Sequence, residues 1–391
     1  MADATCAGCG CACDDIVLGP AGPERTCALG DAWFAIGDRP SVARVDGRPV
    51  SLDEAVDAAG AILREARAPL VYGLGQTSCE AQRRAVALAE AIGAVIDPAG
   101  AGMAELAYQA VGSSTATFGE IRDRAELVVA WRADPAVSNP RLLGRLRMES
   151  RALVVVDGTR TATAEAADAF IELEAAHDFE ALWALRALVT GAPLARDRIE
   201  RLPLAGLDDL AERLLDARHV AFIHGGVDEL GALALFSLVR DLSRDRHAVT
   251  LGLRGDGNAR GAEDVDAWQS GFPTAISFAR GSPRANPGEL SAATLLERGE
   301  VDAALVVASD PLEHLPAAAA ERLRGLPTVV VDPRATATSQ AARVAFATAA
   351  DGIEVPGTVH RMDGVPVPLR APLAGERPSV EEVLAAIGGN P

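Results

Sequence analysis

The sequence predicts an α/β protein in which a small N-terminal cysteine-rich module precedes two related, doubly wound parallel-sheet domains. Three observations carry that expectation. Short apolar runs alternate with helical stretches along most of the 391 residues, and two strand-and-turn passages recur. "LVVAWRADP" returns as "LVVASDP", and "VVVDGTRTATAEAA" as "VVVDPRATATSQAA". Five of the six cysteines fall within the first 27 residues. The chain also exceeds the ~250–300 residues at which single cores stop growing. Its 49% apolar but only 4% aromatic composition suits helices packed on parallel strands.

The elements follow in order. After the cysteines, "VARVDGRPVS" predicts a hairpin turning at Asp46-Gly47, so residues 1–50 form the loop-rich module. Ser51, with Glu54 three places on, caps an amphipathic helix that opens the first large domain, 51–215. "PLVYGLG" (69–75), "ELVVAWRADP" (126–135) and "ALVVVDGTRT" (152–161) are strands. They precede the helical stretches "SCEAQRRAVALAEAIG", "NPRLLGRLR" and "AEAADAF". Strand, loop and helix in that order give βα units and a parallel sheet.

The second domain, 216–391, repeats the plan with "HVAFIHGG" (219–226), the helix "ELGALALFSLVRDLSR", "VDAALVVASDP" (301–311) and "PTVVVDPRATATSQAA" (327–342). Asp157 and Asp332 are 175 residues apart and Pro135 and Pro311 are 176 apart, the mark of an internal duplication. A stretch rich in Gly, Pro, Arg and Asn, 254–289, reads as a functional or interface insertion, with Trp268, Phe272 and Phe278 pinning it to the core. "GTVHRMDGVPVPL" (357–369) closes the domain as a hairpin around Asp363-Gly364.

Open parallel sheets bind ligands at the carboxyl ends of their strands. Asp157, Thr159, Asp332 and Arg334 are therefore candidates for lining a cleft between the domains. Capping of the following helices explains the same residues without a ligand.

Charge and missing motifs exclude several functions. The net charge is −18, and all 37 basic residues are Arg. An acidic field disfavours nucleic acid, and the absence of Lys removes Schiff-base chemistry and the P-loop lysine. No signal peptide and no apolar run of ~18 residues are visible, which predicts a cytoplasmic protein without a membrane span. The six histidines are dispersed, which argues against a histidine-rich hydrolytic metal centre. "GLGQTS" (73–78) lacks the rest of a dinucleotide fingerprint, and Cys79 beside it is read as a buried cysteine at a helix start rather than a nucleophile.

In "CAGCGCACDD", Cys6, Cys9 and Cys13 have C-x₂-C-x₃-C spacing, and Cys27 is available as a fourth thiolate. Four such ligands suit zinc or an iron–sulfur cluster, both of which favour soft sulfur. Spacing does not choose between them, nor does it exclude unmetallated thiols. Cys11 falls between the ligand positions and reads as a bystander.

Together with "YGLGQTSCEAQRRAVALAEAIGAVID" (72–97), "FGEIRDRAELVVAWRADPAVSNPR" (118–141), "GFPTAISFARGSPRANPGE" (271–289) and "GTVHRMDGVPV" (357–367), these motifs resemble the B subunit of formylmethanofuran dehydrogenase over essentially the whole chain. The resemblance implies a formate dehydrogenase-like, molybdopterin oxidoreductase architecture. It also implies a cluster module with its ligands on Cys6, Cys9, Cys13 and Cys27, and domains that grip a tungsten- or molybdenum-bearing pterin.

One departure bears on the chemistry. The family holds its metal through a Cys or selenocysteine in a "CHGPS"-like segment, which here reads "PAGAGM" and puts Gly100 at the ligand position. Ala101 and Met103 replace the neighbouring family residues, and Asp256 stands where a histidine is expected. The sequence thus resembles the branch in formyltransferase/hydrolase complexes of methylotrophic bacteria. Such complexes move a formyl group from formyl-tetrahydromethanopterin to a methanofuran-like carrier and release formate.

The resemblance then implies a non-catalytic structural subunit, partnered by hydrolase-like A and C subunits and a formyltransferase D subunit. No tungsten or molybdenum pterin is expected, and a group on the cysteines would be structural or relict, zinc carrying no redox liability. The alternatives are an active tungsten- or molybdenum-dependent subunit whose metal takes a water or carboxylate ligand, and a cleft reused for another ligand.

Overall fold

A computed structural model describes residues 2–37, 39–99, 104–195 and 202–389, the side chains of 105 and 106 excepted. These residues build a mixed α/β structure with two parallel sheets.

The chain parts into two compact units, Met1–Ala101 with Asp256–Pro391, and Gly102–Gly255. This differs from the expected boundary at 215/216, and strand pairing is the reason. His219–His224 hydrogen-bonds to Leu127–Trp131, and Ala303–Val307 to Pro69–Gly73, so each sheet closes across that boundary.

In the discontinuous unit, the parallel strands lie in the order Val95–Pro98, Pro69–Gly73, Ala303–Val307, Thr328–Asp332, Val344–Ala347. In the continuous unit the order is His247–Gly252, His219–His224, Leu127–Trp131, Ala152–Asp157, Ala169–Glu172, again parallel throughout. The two orders match strand for strand, with the recurring sequences at the third and fourth places. What differs is chain order: the duplicated pair follows the first two parallel strands in one sheet and comes first in the other.

The central strands are continuous Val, Leu and Ile runs because both faces are covered. In the discontinuous unit, Val71, Leu305 and Val307 join one core and Leu70, Tyr72 and Ala304 the other. In the continuous unit Trp131, Phe222 and Phe236 are fully buried.

Antiparallel strands extend the larger sheet at both edges. At one edge, Ala43–Val45 and Arg48–Pro49 form the hairpin expected at Asp46-Gly47, whose φ of 47° and 74° suit a two-residue turn. These residues therefore belong to the main sheet rather than to the cysteine module. The Ser51 side chain accepts from Glu54 N at 3.2 Å and starts the helix Leu52–Glu65. The helix Cys79–Ile92 is capped by Ser78 and packs against Ala259–Ser270 and Val380–Gly388.

Three local expectations are corrected. The stretch 254–289 contains the twelve-residue helix Ala259–Ser270, and Trp268 on it is 71% exposed, while Phe278 is buried as expected. Trp268 packs beneath Arg83 instead of on the core. "AEAADAF" forms a single 3₁₀ turn and then the strand Ala169–Glu172. "NPRLLGRLR" is helical only over Leu142–Arg145.

Candidate metal centre and strand-end residues

The N-terminal strands Ala2–Cys6 and Cys13–Gly19 pair antiparallel and place Cys6 opposite Cys13. The loop between them carries Cys9 and Cys11, and Ala12 N closes a turn on Cys9 O at 3.2 Å. Cys27 immediately precedes the helix Ala28–Phe34, which packs so closely that a β-carbon on Gly30 would sit 3.1 Å from Cys6 Sγ. Cys6, Cys9, Cys11 and Cys13 are buried, Cys27 is partly so, and all five are free thiols.

Their electrostatics tie them into one array. Burial pushes the Cys6 thiol up to about 12, opposed by the Gly8 N–H that donates to its sulfur at 3.4 Å and reinforced by Cys13, Cys9 and Cys27. Cys11, which the spacing leaves between ligand positions, is fully buried, and the neighbouring Cys13 and Cys9 together with burial push its thiol far up.

Among the described residues, no three Cys, His, Asp or Glu side chains converge on the geometry of one bound ion. Tetrahedral zinc needs sulfurs about 2.3 Å from the metal. A cubane of iron and sulfide holds its four thiolates further apart, and thiolates are donors that both groups take.

The array is braced from the same unit. Thr5 Oγ1 donates to Pro368 O at 2.8 Å, and Met362 N to Gly10 O at 2.9 Å, so the C-terminal hairpin holds the cysteine hairpin. On another side, Gly257 meets Ala7. Beside it, the buried Asn258 donates to Thr77 O at 2.7 Å and accepts from His360 N at 2.8 Å. Asn258 also contacts Cys79 Sγ, whose thiol is pushed up to about 11 by burial. Cys79 is thus a structural cysteine in a hydrogen-bonded corner. Asp256 accepts from Gln76 Nε2 at 3.1 Å, and burial raises its carboxyl above the usual range. Gly100, Ala101 and Met103 lie outside the described residues.

The four strand-end candidates have separate settings. Asp332 is buried, accepts from Arg334 N at 2.7 Å, and is pushed up to about 7, chiefly by burial. Arg334 Nη2 donates to Trp33 O at 2.6 Å, tying the strand end to the helix after Cys27. Asp157 Oδ1 accepts from Gly158 N at 2.7 Å and stands 3.6 Å from Arg132 Nη1, while Thr159 is exposed. Within each pair, then, the Asp serves its own turn.

The stronger repeat lies one turn away, at residues that sequence comparison placed in the matching passages but did not single out. In one unit, Asp134 Oδ1 accepts from Thr163 N at 2.9 Å and from Thr163 Oγ1, which in turn accepts from Ala136 N at 3.0 Å. In the other, Asp310 Oδ1 accepts from Thr338 N at 2.9 Å and from Thr338 Oγ1, which accepts from Leu312 N at 3.2 Å. Arg132 and Ala308 enter these turns with φ of 51° and 46°.

Other residues gave no local signal. Asp178 is 3.0 Å from Trp131 Nε1 and paired with Arg132 at 2.8 Å, all three side chains being buried. Burial still raises the Asp178 carboxyl, against the lowering effect of Arg132. His224 ends its strand fully buried with Nε2 unpartnered, and burial followed by Arg254 pushes it down to about 3.

No protein-family model matches the chain. It is 34% identical over 399 aligned residues to the B subunit of tungsten-containing formylmethanofuran dehydrogenase 2 from Methanocaldococcus jannaschii, covering 93% of this chain and 92% of the relative. It is 32% identical over 286 residues to the B subunit of the formyltransferase/hydrolase complex Fhc from Methylorubrum extorquens, covering 68% and 74%. The crystal structure of the formyltransferase/hydrolase complex FhcABCD from Methylorubrum extorquens with methylofuran contains a similar fold. There the TM-score is 0.73 at 27% identity, covering 88% of this chain and 97% of that one. Acetylene hydratase from Pelobacter acetylenicus shares the fold alone, with a TM-score of 0.59 at 14% identity, covering 98% and 69%.

The fold class is therefore mixed α/β with parallel strands at the centre of both main sheets, a fold shared with chains of those two structures. The chain belongs to the family of formylmethanofuran dehydrogenase B subunits.

Proposed function

We propose that the chain is a non-catalytic structural subunit of a hetero-oligomeric formyltransferase/hydrolase complex, in which partner subunits of the A, C and D types move a formyl group to a methanofuran-like carrier and release formate. The similarity to the Fhc B subunit and to the FhcABCD structure supports the setting. Among the described residues no helix is long and apolar enough to cross a membrane.

The observation that carries the non-catalytic reading is Cys79. It is the single cysteine outside the N-terminal array, and its thiol is buried and fixed against Asn258. No cysteine outside the N-terminal array is thereby left to ligate a tungsten or molybdenum centre, and Gly100 at the family's ligand position has no side chain to offer. A zinc ion or a [4Fe–4S] cluster on Cys6, Cys9, Cys13 and Cys27 would then brace the N-terminal hairpin against the helix after Cys27, and of the two only the cluster would supply one-electron chemistry.

The second reading is an active tungsten- or molybdenum-dependent subunit, favoured by the 93% coverage of this chain by the tungsten-containing relative. Elemental analysis of anaerobically purified complex for W, Mo, Fe and Zn separates the two. Zinc or iron without tungsten or molybdenum is the expected result. Stoichiometric tungsten or molybdenum with bound pterin overturns the structural reading.

A further inference from the structure

Trp268 stands exposed near the end of the helix Ala259–Ser270, although a tryptophan is on average a highly buried residue. The guanidinium of Arg83, from the helix Cys79–Ile92, lies over its ring at 5.2 Å from the centroid. Beside this stack is an open pocket of about 330 Å³, whose walls include Glu80, Arg83, Arg84, Gln269 and Glu381. We propose that Trp268 and Arg83 form a docking site for an Asp or Glu side chain presented by a partner subunit of the hetero-oligomer. The inference rests on the subunit reading above and gives that association a place on this chain.

Charge decides the occupant. Glu80 is engaged within the chain, its two oxygens accepting from Thr358 N and Thr358 Oγ1, each at 2.9 Å. Glu381 stands 3.4 Å from Arg84 Nε, and Asp264, one turn before Trp268, is held by Arg260 and His360. Among the described residues no carboxylate pairs with the exposed Arg83. A guanidinium stacked by its face on a ring keeps its N–H edge for a planar carboxylate, the two contacts being compatible. The chain as a whole carries a charge of −18, so an acidic group is repelled by most of its surface and attracted here.

The exposed ring favours a macromolecule over a small anion. A free carboxylate would satisfy Arg83 and leave Trp268 in water, whereas a protein surface covers both. Trp and Arg are also the side chains that dominate binding at protein interfaces.

The test uses the full chain in its purified complex. With a photoreactive benzoylphenylalanine substituted for Trp268, irradiation should cross-link the chain to a segment of another subunit that contains Asp or Glu. Trp268→Ala and Arg83→Glu should each weaken retention of the chain in the complex by about 30-fold or more, while its circular dichroism stays that of wild type. Exchanging the cross-linked acidic residue for Arg should restore retention of Arg83→Glu and not of Trp268→Ala. Wild-type retention of both variants would overturn the docking site and leave the subunit reading standing. A cross-link to a second copy of this chain, or to no chain at all, would do the same. A full-length chain that purifies free of any other subunit would overturn both.

Discussion

The carbonyl oxygen of Ala7 stands 1.8 Å from the point that a β-carbon on Gly257 would occupy. No side chain fits there, and Ala7 lies between Cys6 and the cysteine loop. Gly257→Ala must therefore displace backbone at the array, an overpacking that costs about 1–3 kcal/mol. The expected outcome is faster labelling of the N-terminal thiols by a maleimide, together with a lower melting temperature. Labelling at the wild-type rate would mean that the contact does not hold the loop.

The twin turns at Asp134 and Asp310 give a matched pair of tests. Each carboxylate accepts from both the backbone and the hydroxyl of a Thr. Asp134→Ala and Asp310→Ala should each destabilise by about 1–3 kcal/mol, the range for leaving buried donors unpaired. The two sites share no hydrogen-bond partner, so the transitions in urea should shift additively in the double variant. A strongly non-additive double variant contradicts their independence.

Asp332 gives a pH signature. Its carboxyl is raised from 3.8 to about 7 because burial penalises the charged form. Between these values the folded chain keeps a proton that the unfolded chain has lost, so stability falls as pH rises through that window. At 1.36 kcal/mol per unit the loss is at most roughly 4 kcal/mol, complete above pH ~7. Asp332→Asn can still accept from Arg334 N and has no such titration. Urea unfolding at pH 5 and pH 8 should show the variant gaining on wild type at the higher pH, and a pH-independent difference would rule the effect out.

Removing the Asp178 carboxylate leaves the buried Arg132 only its longer, 3.6 Å pair with Asp157 and leaves Trp131 Nε1 without an acceptor. Asp178→Ala should lose about 3–5 kcal/mol, the usual range for stranding one member of a buried pair. Asp178→Asn keeps an acceptor oxygen and should lose less. Equal losses in chemical denaturation would show that the hydrogen bonds contribute little.

The strands were the most legible part of the sequence. "PLVYG", "LVVAW", "AALVV" and "TVVVD" are apolar on every residue or nearly so because both sheet faces are covered, and each is a strand. The helix Ala259–Ser270 was hidden by its Gly and Asp content, whose weak propensity is overridden by packing against Cys79–Ile92. The domain boundary was invisible because it depends on Pro69–Gly73 pairing with Ala303–Val307, a partnership no local pattern encodes. At the candidate centre, spacing identified four cysteines as candidate ligands, but the place of Cys11 came from a fold in three dimensions.

The permuted strand order also sets a timetable for synthesis. Gly73 ends a strand whose neighbour begins at Ala303, 230 residues later. At about 5–20 residues per second that is a wait of roughly 10–50 s on the ribosome. During this interval Pro69–Gly73 has an open edge of unpaired N–H and C=O groups, the kind of surface that recruits stray strands. All five strands of Gly102–Gly255 have by then emerged. The nascent chain can thus finish its middle first, while its beginning stays in need of protection until the last third arrives.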